Sequence, residues 1–107
     1  MQDPARAKLR ELTVAYVTAQ GGLMEDVWRL YMGPWFGEPE MMVLSEVARR
    51  LGISEGHAEN IVRATDAVVV PQWRRTDEFK ASGFGDAPQL RWPAAFQHVL
   101  HMDDDGN

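Results

Sequence analysis

The chain has 107 residues, a length that sets one domain with a modest core. Hydrophobic residues make up 45% and charged residues 25%, as in ordinary globular proteins, and the absence of Cys excludes disulfides, thiolate metal sites and thiol nucleophiles. The net charge of −5 argues against a polyanionic partner, but Asp103, Asp104 and Asp105 hold three of those charges in an expected disordered tail over 103–107, leaving one helical domain over 1–102.

In chain order, Pro4 suits the first turn of a helix that Asp3 can cap. Leu9, Leu12, Tyr16 and Ala19 recur at helical spacing until Gly21-Gly22 stops the run. In a second helix, Leu23, Val27, Leu30 and Tyr31 form the apolar stripe, with Met24, Trp28 and Met32 beside it. Gly33-Pro34 ends that helix, with Gly33 expected in the left-handed cap. The two helices make a helical hairpin with apolar surface on both arms. Trp35 and Phe36 follow in a Gly/Pro-rich connector, where they read as a plug over the core. Ser45 is placed to cap a helix from Glu46 to Leu51, and Ser54 to cap another running to about Thr65. Val68-Val69-Val70 is a β-favouring run closed by Pro71 and reads as a short strand over 68–70, one side of a wing without a clear partner. Thr76 to Gly83 forms a brief capped helix, and Trp92-Pro93 opens a C-terminal helix carrying Phe96, Val99 and Leu100. The expected fold is mostly α, with the hairpin packed on the two-helix unit at 44–65.

That unit carries the most information. Ala48 offers a small contact where two helices cross, and Gly52, four residues later, tolerates the positive φ of a tight turn. Val47, Leu51, Ile53, Ala58 and Ile61 fall on the inner face. Over residues 44–63 the sequence resembles the helix-turn-helix superfamily of bacterial, plasmid and phage regulators, a likeness at the level of a motif that covers about a fifth of the chain. The resemblance implies that the second helix enters the major groove of double-stranded DNA. Its outward positions are then Ser54, Glu55, Gly56, Glu59, Asn60 and Arg63, with His57 as a further backbone contact. Asn60 matches adenine through its amide, and Arg63 matches guanine or a phosphate. Arg49, Arg50, Arg74, Arg75 and Lys80 are the cations available to clamp phosphates. Glu55 and Glu59 depart from an easy DNA reader, since they repel phosphates even though a carboxylate can accept from cytosine.

A single copy of the motif contacts few base pairs, so the resemblance implies a homodimeric transcriptional regulator, with the hairpin or the Trp92/Phe96 helix as interface. The rival reading is an acidic adaptor or inhibitor of the same shape. It would bind a protein such as a polymerase subunit, a sigma factor or a phage-defence component. No cofactor or metal is implied: His98 and His101 lack further ligands, and Gly83-Phe84-Gly85 does not follow a strand as a phosphate loop would. No serine sits in a nucleophile elbow, so enzymatic chemistry is not expected. No apolar run reaches the roughly 18 residues of a membrane span, and Met1 to Arg6 do not open a signal peptide, which makes the cytoplasm the expected location.

Overall fold

Residues Pro4–Gln20 form α1 in the computed structural model, which describes residues 4–82 of the chain. Ala5, Leu9, Thr13 and Val17 recur every four residues and are buried along one side, while Ala19 is exposed. Gly21 and Gly22 both take positive φ, which a residue with a Cβ adopts only at a cost, and they turn the chain into α2, Gly22–Tyr31. Its buried side centres on Val27, Trp28 and Met32, so the helix is rotated relative to the expected stripe and Leu23 is left 37% exposed. Trp28 explains the rotation: it is the largest side chain of its core cluster and is fully buried.

A one-turn 3₁₀ helix, Gly33–Phe36, follows. The left-handed residue here is Gly37, at φ 84°, and not Gly33 as expected. Gly33 is required for a different reason. The segment after it folds back so closely that a Cβ at Gly33 would stand 2.1 Å from the Glu40 carbonyl oxygen. The fold-back is held by the Glu38 amide donating to the Gly33 carbonyl at 2.9 Å and the Met42 amide to the Leu30 carbonyl at 3.1 Å. Trp35 and Phe36 are half-buried against the core, and the Trp35 ring stacks on Trp28 at 6.4 Å between centroids.

Helix α3 spans Leu44–Leu51 and starts before the expected Glu46. Val43 is its cap residue, with its carbonyl accepting from Glu46 and Val47, and Ser45 lies inside the first turn without a capping role. Helix α4 spans Glu55–Arg74, far past Thr65. The strand expected at Val68–Val70 is therefore absent: these residues are helical, with Val69, Val70 and Trp73 buried and Val68 outward. Burial at i, i+1 and i+4 is helical spacing, and packing against α1 overrides the weak β preference of a valine run. Pro71 sits inside the last turns of α4 and ends nothing. Helix α5, Asp77–Ser82, begins under the Thr76 hydroxyl, which accepts from the Phe79 amide at 3.2 Å.

Among the described residues the fold is mostly helical, with no strand. Two core clusters form along α4. Ala5, Leu9, Val69, Val70 and Trp73 make one; Val17, Val27, Trp28, Met32, Val47 and Val62 make the other; and Trp35 packs on both. The buried indoles are satisfied, Trp28 donating to the Thr65 hydroxyl at 2.9 Å and Trp73 to the Ala5 carbonyl at 2.7 Å. The hydroxyl of half-buried Tyr31 is pushed up to about 12, first by burial and then by the charge of buried Asp66. No described helix is long and apolar enough to cross a membrane. The expected C-terminal helix at Trp92, the His98/His101 pair and the acidic tail lie outside the described residues.

Candidate functional site

The junction of α3 and α4 follows from two residues. Gly52, at φ 69°, lets the chain reverse while the Ile53 amide donates to the Ala48 carbonyl at 3.0 Å and the Gly52 amide to Arg49 at 3.4 Å. This pair of bonds satisfies carbonyls that the end of α3 would otherwise leave open. Nothing lies within 4 Å of where a Gly52 Cβ would be, so the glycine serves backbone conformation and not close packing. Ser54 then caps α4, its hydroxyl oxygen accepting from the His57 amide at 3.0 Å. Val47, Ala48, Ala58 and Val62 are buried, and Leu51, Ile53 and Ile61 are half-buried against the same cluster.

This packing turns the opposite side of α4 outward. Glu55, Gly56, His57, Glu59, Asn60 and Arg63 are all exposed. Arg63 reaches back to Glu59 at 3.8 Å. Arg49 and Arg50, on α3, converge on one carboxylate: Glu46 accepts from Arg49 through both oxygens and from the Arg50 Nε at 3.3 Å. The Arg49 hydrogen bond, followed by that of Arg50, holds the Glu46 carboxyl below its usual range. From 44 to 65 three acids face three arginines, so the net charge of the unit is zero. Arg74 and Arg75 are not part of this cluster. They lie eleven and twelve residues beyond Arg63, about 16 Å further along the helix axis.

A second feature escaped the sequence reading. Helix α2, the segment 38–42 and the end of α3 enclose a cleft of about 420 Å³ with Leu30, Met42 and Leu51 as apolar lining. Its rim carries Asp26, Arg29, Glu38 and Glu40. Arg29 is fully engaged: it bonds Glu25 at 2.9 Å and the Phe36 carbonyl at 3.2 Å, pairs with Glu38 at 3.5 Å, and lies 5.5 Å from the Phe36 ring centroid. In sequence, Glu38 and Glu40 read as turn acids. Only the fold-back against Gly33 brings them opposite Asp26, so no local signal announced the cleft. Among the described residues no group of three His, Asp or Glu side chains is placed to hold a metal ion.

Comparison with family models, with curated proteins and with solved structures found nothing that matches this chain.

Proposed function

We propose that the protein is a small helix-turn-helix DNA-binding protein, acting as a homodimeric transcriptional regulator. The observation that carries the reading is the outward set on the first turns of α4, Asn60 and Arg63 above all, held by a buried inner face behind a capped turn. A helix presented this way fits the major groove, and Asn60 and Arg63 have the donors for adenine and guanine edges. The Ser54 hydroxyl accepts from the backbone, which leaves its proton for a phosphate oxygen. Arg49 and Arg50 would bind phosphates by exchanging Glu46, since exposed pairs of this kind hold their partners only weakly.

Fluorescence anisotropy of a labelled random duplex tests this. Binding is expected at about 50 mM salt, with affinity falling steeply as salt rises. Arg63→Ala should flatten the log–log salt dependence by about one unit. Glu46→Gln should tighten binding about three- to tenfold by releasing two guanidinium groups. A duplex left unbound at low salt rejects the proposal. Sedimentation at micromolar concentration tests the dimer, with the α1–α2 arms as the expected interface and the mass of one chain as the opposing result.

One observation favours a second reading, a protein-binding adaptor of the same shape. Glu46 and Glu59 engage all three arginines of the unit, so no excess positive charge faces outward between 44 and 65. Capture of a polymerase subunit or sigma factor, lost on Glu55→Lys/Glu59→Lys, together with indifference to duplex, would establish it.

A further inference from the structure

The acidic side chains of the described residues can be assigned almost completely. Glu11, Glu25, Glu38, Glu46, Glu59 and Glu78 stand in ion pairs. Glu55 and Asp77 open α4 and α5, where the helix dipole favours a negative charge. Asp66 is buried in the core. Two acids remain, Asp26 in the middle of α2 and Glu40 on the folded-back segment, and both line the cleft. Neither forms an ion pair among the described residues. With Glu38 and Arg29, the rim carries a net charge of −2 over an apolar floor.

The surroundings extend the apolar surface beyond the cleft. Leu23 is one of the four large hydrophobic side chains exposed among the described residues. Leu23 lies three residues before Asp26 and seven before Leu30, hence on the same side of α2. An apolar margin wider than the cleft itself suits a polypeptide better than a small molecule, and the negative rim turns away nucleic acid.

We infer that this cleft docks a segment of a partner protein in which a bulky apolar side chain is flanked by Lys or Arg. The apolar side chain would enter between Leu30, Met42 and Leu51, and the flanking cations would meet Asp26 and Glu40. The site is independent of DNA binding by α4, so either can fail without the other.

The experiment uses the full chain and a labelled amphipathic helical peptide built of Leu and Lys, with a Leu/Glu peptide of the same pattern as control. The Leu/Lys peptide should bind saturably at about micromolar concentration and the Leu/Glu peptide should not. Asp26→Asn/Glu40→Gln should weaken binding about tenfold, whereas removing the same charge elsewhere, Glu11→Gln/Asp77→Asn, should change it less than about twofold. Equal loss in the two double variants would reduce the effect to net charge and overturn the proposal, as would binding of both peptides or of neither. A dimer that dissociates in Asp26→Asn/Glu40→Gln would assign the cleft to a second copy. Binding that strengthens on Trp92→Ser/Phe96→Ser would assign it to the chain's own 83–107 segment. Displacement of the peptide by hexylammonium at micromolar levels would assign it to a small organic cation. Each of these three outcomes also overturns the proposal.

Discussion

Two glycines do opposite work and should respond differently to the same methyl group. At Gly33 the added Cβ meets a backbone carbonyl at 2.1 Å, so the folded-back segment must shift. At Gly52 the space is open and the cost is that of a positive φ alone. Gly52→Ala should cost about 1–2 kcal/mol. Gly33→Ala should cost more, about 2–3 kcal/mol or beyond, because main chain cannot yield as a flexible side chain does. Urea unfolding of the two variants checks the order. Tyr31 gives a prediction in pH. Its folded pKa, about 12, lies above the ordinary 10.0, so the native state holds the proton longer than the unfolded chain. Stability should therefore fall as pH rises between those values, and Tyr31→Phe should remove that part of the slope. Glu46 has the opposite sign: its lowered pKa gives stability at neutral pH that is lost on acidification below the usual carboxylate range.

Among the elements, α4 is the most informative. Its first half was legible: Ser54 as cap, Gly52 as turn and Ala58 on the inner face are local signals that the structure carries through. Its second half was misread because three successive valines and a proline look like a strand and its terminator when taken alone. The missed signal was phase. Thr65, Asp66, Val69, Val70 and Trp73 continue the helical spacing of Ala58 and Val62 without a break. Ser45 and Gly33 were misread for a related reason, since residue type suggests a cap but the observed role depends on what packs nearby. The cleft was not legible at all, because it joins residues from α2, the 38–42 segment and α3 through a tertiary fold-back. Pro71 supplies the test for this element. It lacks the amide that would bond the Ala67 carbonyl, and its side chain is exposed. Pro71→Ala should raise stability by about 1–3 kcal/mol and leave the fold unchanged, measured as a shift in thermal midpoint.

On the scale of the whole molecule, the two core clusters are joined by α4, which contributes Val62 to one and Val69, Val70 and Trp73 to the other, and by Trp35 between them. They should therefore unfold together. Val62→Ala and Val69→Ala, one in each cluster, should each lower the urea midpoint by an equal amount whether tryptophan fluorescence or far-UV ellipticity is followed. Separate midpoints for the two signals would mean that α4 breaks into independent halves. Charge also belongs to this scale. The described residues hold ten Lys and Arg against eleven Asp and Glu, a net of −1, so most of the acidity seen in composition lies outside them. The described part of the chain is thus close to neutral, and its contacts with partners depend on where its charges sit.

The wall formed by residues 38–42 is clipped at both ends, by the Glu38 amide on Gly33 and the Met42 amide on Leu30. Its disorder is removed when the chain folds and not when a guest arrives, so only the guest loses freedom on association. Gly33→Ala replaces no lining residue but displaces this wall, and would then raise the dissociation constant of such a complex, visible as a faster off-rate.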